Sequence, residues 1–181
     1  MTENSKKQNV NTRQMPAPIL SRQSGTTPGT GPPTEAHPTI LVADDNNDDT
    51  FFLAQAFMKA GASGTIHLVR DGQDAIDYLQ GRHPYGNRAQ FPFPNLFVVD
   101  ANLPFVSGLE VLDWVRRQRF SQPLVVGVLS GTDHEPDMEK ALALGAKFYF
   151  AKPHKFEDLV VIARQLADQC AAGLSASQTS G

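Results

Sequence analysis

One cysteine, Cys170, stands in the 181 residues, so no internal disulfide can form and a reducing compartment is the natural setting. Long apolar runs are also missing: none approaches the roughly 18–20 residues that cross a bilayer. The amino terminus is polar and lacks the apolar stretch of a secretory signal. These absences together point to a cytoplasmic protein. Basic charge is in short supply, with 16 Lys and Arg against 19 Asp and Glu, a net charge of −3 and a pI near 5.9. That balance argues against a protein that grips nucleic acid through a basic surface. The five histidines, His37, His67, His83, His134 and His154, show no metal-ligand spacing, and a surface or loop position is expected for each. The single tryptophan, Trp114, is expected to cover part of a core.

What is present divides into a tail and one domain. Residues 1–38 are rich in proline, and the run "SGTTPGTGPP" (Ser24–Pro33) is of low complexity, so this segment reads as a disordered tail. It carries Glu3 and Glu35 against Lys6, Lys7, Arg13 and Arg22, a net +2, which leaves −5 on residues 39–181. From Thr39, strand and helix signals alternate. The strand runs are "TILVA" (39–43), "TIHLV" (65–69), "NLFVV" (95–99), "PLVVGVL" (123–129) and "KFYFA" (147–151). Between and after them, apolar residues recur at helical spacing: Leu53, Ala56 and Phe57; Ala75, Ile76 and Leu79; Val111, Leu112 and Val115; Met138, Ala141 and Leu142; then Phe156, Leu159, Val160, Ala163 and Leu166. Five strands alternating with five helices imply an α/β, doubly wound parallel sheet. The domain is expected over residues 39–172, with a second short tail over 173–181.

In such sheets ligands sit outside the carboxyl ends of the strands. The first strand ends in Asp44 and Asp45, the third in Asp100, the fourth in Ser130 and the fifth in Lys152. Taken singly, each has an ordinary explanation: an Asp after a strand is often a helix N-cap, a Ser there is usually a turn residue, and a lone Lys is a solvated charge. Together, three carboxylates, a hydroxyl and an ammonium meet on one rim. Three clustered carboxylates need a cation, and an all-oxygen donor set favours a hard ion such as Mg²⁺. A lysine opposite supplies the further positive charge that a phosphoryl group would want. In the run "DDNNDD" (Asp44–Asp49), Asp44 and Asp45 thus read as metal ligands. Asp48 and Asp49 read as first-turn acids favoured by the helix dipole, with Asn46 or Asn47 as cap.

The set Asp44-Asp45, "DANLP" (Asp100–Pro104), Ser130 and Lys152-Pro153 resembles the receiver domain of two-component response regulators, over about residues 39–170. That resemblance implies a flavodoxin-like sheet of strand order 2-1-3-4-5. It implies Asp100 as acceptor of a phosphoryl group from a histidine kinase's phosphohistidine, and Mg²⁺ held by Asp45, Asp100 and the main-chain carbonyl of Asn102, with Asp44 acting directly or through water. Lys152 would contact a phosphoryl oxygen. Ser130 would move toward the phosphate, and Tyr149 would turn inward as the switch aromatic. Lys152–Pro153 is expected to be cis. "VRDGQDAIDYL" (Val69–Leu79), "NLP" and the long "QGRHPYGNRAQFPFP" (Gln80–Pro94) resemble the stand-alone regulators that partner bacterial phytochrome kinases.

The resemblance further implies a phosphoacceptor signalling domain rather than an enzyme acting on other substrates. With about fifteen residues after Leu166, output is expected through a downstream protein or a phosphotransfer protein. Phe148 and Phe150 on the last strand suggest a homodimer through that strand and its flanking helices, or plain packing on the sheet. An aspartyl-nucleophile phosphatase would carry a second acid two residues after Asp100, where Asn102 stands. A degenerate receiver would have lost some of the five rim residues.

Overall fold

Each apolar run becomes a strand, and all five run parallel. The computed structural model describes residues 38–62 and 64–178, with side chains as far as Cys170. The expected N-terminal tail therefore lies, Pro38 apart, outside the described residues. The chain alternates β1 (Thr39–Ala43), α1 (Asn47–Lys59), β2 (Thr65–Val69), α2 (Gly72–Gln80), β3 (Leu96–Asp100), α3 (Gly108–Arg116), β4 (Val125–Ser130), α4 (Glu135–Ala143), β5 (Phe148–Ala151) and α5 (Phe156–Gln178). The sheet order is β2-β1-β3-β4-β5, the flavodoxin-like order that the family resemblance implies. Helix α5 continues through Gly173, where the sequence reading begins its second tail.

The central strands read as continuous apolar runs because both faces of the sheet are covered. Successive side chains alternate between two cores. Leu41, Ala43, Phe97, Val99, Val126 and Val128 face α2, α3 and α4. Ile40, Val42, Leu96, Val98 and Leu129 face the other way, against Leu53 and Phe57 of α1 and Ala163 and Leu166 of α5. Trp114 packs at the margin of the first core beside Phe120, as expected. Phe148 and Phe150 pack on the second core, their rings stacked 5.9 Å apart. Leu142 departs from its expected stripe: Ala141 is buried, but Leu142 is turned outward on α4.

Residues 80–94, read from the sequence only as a long loop, close over the β2 side of the sheet. Arg88 holds the loop down by donating to the carbonyls of Tyr78 (2.9 Å), Leu79 (2.8 Å) and Phe91 (3.2 Å). Two of these carbonyls lie in the last turn of α2, where a helix runs short of donors for its acceptors; that of Tyr78 also accepts from the Gly81 N–H at 3.1 Å. The Tyr78 hydroxyl donates to the Pro92 carbonyl at 3.0 Å. Tyr78, Tyr85 and Phe91 thereby form an aromatic lid.

That lid overturns the expectation for His67. Instead of lying at the surface, His67 is 4% exposed on β2, with its ring 5.5 Å from Tyr78 and 5.8 Å from Phe91. β2 is an edge strand, and the sequence gives no direct sign that the loop folds back to cover it. Nε2 of His67 has no hydrogen-bond partner among the described residues. Burial pushes its basicity below the ordinary imidazole value of 6.5, so the folded chain keeps it neutral while the unfolded chain takes a proton. Above that value both states are neutral and His67 adds no pH dependence. Below it the unfolded state binds more protons, and stability is lost as pH falls. Between pH 7.5 and 5.5 the wild-type chain is expected to lose more stability than His67→Leu. Urea unfolding at both pH values measures this, and equal losses in the two proteins would contradict it.

Candidate functional site

Parallel register brings the strand ends to one rim. Ala43 pairs with Val69 and Val99, Asp100 with Leu129, and Ser130 with Ala151. The residues at or just past these positions are Asp44, Asp100, Ser130 and Lys152. The main-chain N–H of Lys152 donates to the Ser130 carbonyl at 2.6 Å, which fixes where the lysine leaves β5. Its side chain then reaches across the rim. Nζ donates to Asp44 Oδ2 at 2.8 Å, Asp49 Oδ2 at 2.8 Å and Asp100 Oδ2 at 2.5 Å. The other oxygens are held locally: Asp44 Oδ1 accepts from the Asn46 N–H (2.9 Å), and Asp100 Oδ1 from the Asn102 N–H (2.8 Å).

Charge balance explains the arrangement. Asp44 and Asp100 are buried, whereas Asp45 is exposed. Burial raises the Asp44 carboxyl above its usual range, because desolvation outweighs the bonds from Lys152 and Asn46. For Lys152, burial works against the ammonium. The hydrogen bonds to Asp100, Asp44 and Asp49 outweigh it and hold the group protonated well above an ordinary lysine. Three carboxylates (Asp44, Asp49 and Asp100) bond this one ammonium and Asp45 clusters with two of them, a formal excess of three negative charges. One oxygen from each of Asp44, Asp45 and Asp100 lies within 4.8 Å of the others. An all-oxygen cluster with surplus negative charge fits a hard divalent cation, whose ligands are carboxylates and carbonyls.

The loops around the rim are fixed as firmly. Gly108 begins α3 against the end of β3; a Cβ there would stand 2.0 Å from the Asp100 carbonyl oxygen, so no larger residue fits without shifting β3. Ser107 and Glu110 close a capping box at the same helix start, satisfying N–H groups that the first turn leaves open. Ser130 is fully buried, and its Oγ accepts from the Thr132 N–H at 3.3 Å. The Tyr149 hydroxyl donates to the Thr132 carbonyl at 3.2 Å. Both expected switch residues therefore hold the same residue of the β4–α4 loop. Asn102 is exposed beside Asp100. The expected cis bond at Lys152–Pro153 is absent; among the described residues the cis bond is His83–Pro84. Trans is the form an X–Pro bond prefers by roughly 0.5–1 kcal/mol.

One site residue was misread from the sequence. Asn46 caps α1, accepting from Asp48 N and Asp49 N, so Asp48 and Asp49 do occupy the first turn. They do not share one role: Asp48 is exposed, whereas Asp49 bonds Lys152. The cap fixes Asn47 as the first helical residue and Asp49 as the third, and helical side chains lean back toward the N-terminus. The signal was present in "DDNNDD", but reading it required knowing which asparagine is the cap.

Residues 40–164 match the family model described as the response regulator receiver domain. The chain belongs to the response regulator receiver domain family. It is accordingly a response regulator phosphorylated on an aspartate in two-component signalling, and its receiver is a signalling domain whose partner is a histidine kinase. The receiver is 35% identical over 120 residues to the "Probable methanogenesis regulatory protein FilR2" of Methanothrix harundinacea, covering 66% of this chain and 75% of that protein. It superposes on response regulator RPA3017, of red light signalling in R. palustris, with a TM-score of 0.66 and 32% identity over 71% of this chain and 90% of that one. The phosphorylated cyanobacterial phytochrome response regulator RcpA matches with TM-score 0.66 and 28% identity, over 74% and 93% of the two chains. The Mn²⁺-bound form of Rcp1, a response regulator of Synechocystis, matches at TM-score 0.63 and 26% identity, over 71% and 90%. Receiver domains bind a divalent metal at an acidic pocket, and the Asp44, Asp45 and Asp100 cluster fits one. Among the described residues no helix is long and apolar enough to cross a membrane.

Proposed function

We propose that Asp100 is the phosphoacceptor and that the receiver takes its phosphoryl group from a histidine kinase in a Mg²⁺-dependent reaction. The observation that carries this reading is the three-way contact of Lys152 with Asp44, Asp49 and Asp100. Asp100 is buried at the strand end, held at one oxygen by the Asn102 N–H and at the other by an ammonium. An Asp100 oxygen forms the bond to phosphorus as the P–N bond of phosphohistidine breaks, the electron pair returning to the imidazole nitrogen. The Lys152 ammonium, freed from one charged carboxylate oxygen, then donates to a phosphoryl oxygen. Asp44, Asp45, Asp100 and the Asn102 carbonyl are the ligands proposed for Mg²⁺, which when bound offsets negative charge on the phosphoryl oxygens. The transfer and the later hydrolysis are the receiver's own chemistry, with no other substrate turned over.

Ser130 and Tyr149 are proposed as the switch, because both hold Thr132 in place at the edge of the rim. A Ser130 hydroxyl drawn to a phosphate releases the Thr132 N–H, and Tyr149 loses its fixed acceptor as the loop moves. The kinase is proposed to be of phytochrome type and the setting cytoplasmic. Support comes from the likeness to RcpA, named a phytochrome response regulator, and from the long, docked 80–94 loop. Output passes to a downstream protein or a phosphotransfer protein.

The site reading predicts acid-labile labelling by acetyl phosphate that requires Mg²⁺ and is lost in Asp100→Asn. Asp45→Ala is expected to lower Mg²⁺ affinity by at least about tenfold, the usual scale for removing a metal-site partner. Labelling that persists in Asp100→Asn would refute the acceptor assignment. We also propose a homodimer through β5 and its flanking helices. β5 is an open edge of four residues, and Leu142 of α4 and Val161 of α5 stand exposed on the neighbouring helices. Sedimentation should show a dimer that Leu142→Glu weakens; a monomer at every concentration, before and after phosphorylation, would contradict it.

A further inference from the structure

Taking Asp100 as the acceptor proposed above, we infer that Asp49 is a positioning residue that keeps the Lys152 ammonium over the reacting oxygen. A lysine ammonium has three N–H donors and no acceptor. Here all three are used: on Asp44 and Asp100 from the strand ends, and on Asp49 from α1. The first two partners are the ones that change during the reaction. Asp100 loses a charged oxygen when it is phosphorylated, and Asp44 belongs to the carboxylate cluster that fits a cation. Asp49 lies outside that cluster. It therefore remains a constant anionic partner while the other two are redirected.

The geometry supports an anchoring role. Asp49 is fixed twice, as the third residue of α1 under the Asn46 cap and by its 2.8 Å bond to Nζ. Helix α1 is itself buried through Thr50, Leu53, Ala54, Ala56 and Phe57, so Asp49 is carried on a rigid element. Lys152 by contrast has a flexible four-carbon stem, held by its main-chain bond at one end and by carboxylates at the other. Without Asp49 one N–H is left for water, and the ammonium can swing away from the acceptor. Asp48, one residue earlier and exposed, provides the matched control.

The test follows the initial rate of labelling by acetyl phosphate in wild type, Asp48→Ala, Asp49→Ala and Asp49→Asn, with Mg²⁺ affinity measured separately by titration. A charge-assisted bond at a partly exposed residue corresponds to a loss of about fivefold to tenfold in rate for Asp49→Ala. Asp48→Ala is expected to stay within about twofold. Asp49→Asn keeps an oxygen in place for Nζ and should recover at least about half of the wild-type rate, which a purely electrostatic role would not allow. Mg²⁺ affinity in Asp49→Ala should remain within about threefold of wild type. Equal rates in Asp49→Ala and wild type would overturn the inference, as would a rate in Asp49→Asn as low as in Asp49→Ala. A larger loss of Mg²⁺ affinity would also overturn it, by assigning Asp49 to the metal. Absence of labelling in the wild-type chain would instead overturn the acceptor assignment on which the inference stands.

Discussion

The rim is held together by one ammonium. Without Lys152, Asp44, Asp49 and Asp100 would stand with no positive partner among the described side chains that bond them, two of the three in low-dielectric surroundings. Repulsion of that kind is relieved only by protonation, by a cation or by spreading the groups apart. The fold prevents the last, because two carboxylates are fixed at strand ends and one on a capped helix. A site built this way holds Asp100 against an ammonium, with a cation-sized deficit beside it. It is ready for a metal and a phosphoryl group without any large rearrangement of the backbone.

Everything that positions Lys152 follows from the topology. In a 2-1-3-4-5 sheet, β1 and β3 are neighbours, so Asp44 and Asp100 come side by side at the carboxyl rim. β5 lies one strand beyond β4, so its lysine must reach back over Ser130 to meet them. A short side chain could not span that gap; the four-carbon stem of lysine does. Gly108 lets α3 begin hard against the Asp100 carbonyl, which shapes the loop on the far side. The chemistry is concentrated in single residues, but strand order decides that they meet.

The strands and the rim positions Asp44, Asp45, Asp100, Ser130 and Lys152 could be read from the sequence for a physical reason, whereas the strand order came from the family resemblance. A parallel sheet covered on both faces needs unbroken apolar runs, and polar residues can appear only where those runs stop. Asp44, Asp100, Ser130 and Lys152 stand at such stops. The role of Asp49 was not legible in the same way, since it depends on the phase of a helix that begins at a cap. His67 was misplaced because its burial comes from a loop that folds back over an edge strand, held by Arg88 bonding main-chain carbonyls. Main-chain acceptors carry no side-chain signature. The reading erred where distant segments decide a residue's surroundings.

The same ammonium links the resting state to the signalling one. In the resting arrangement its three donors are shared among carboxylates. In the proposed phosphorylated arrangement one would pass to the phosphoryl group, and the neighbouring Ser130–Thr132–Tyr149 contacts would lose their present balance. The most direct measurement is a crystal structure of the chain with Mg²⁺ and beryllofluoride, which mimics a phosphoryl group on a carboxylate. The account predicts beryllium bonded to Asp100, Mg²⁺ among Asp44, Asp45 and Asp100, and Lys152 moved from Asp100 onto a fluoride while still bonded to Asp49. Beryllofluoride on another residue, or Lys152 still bonded to Asp100 and parted from Asp49, would contradict it.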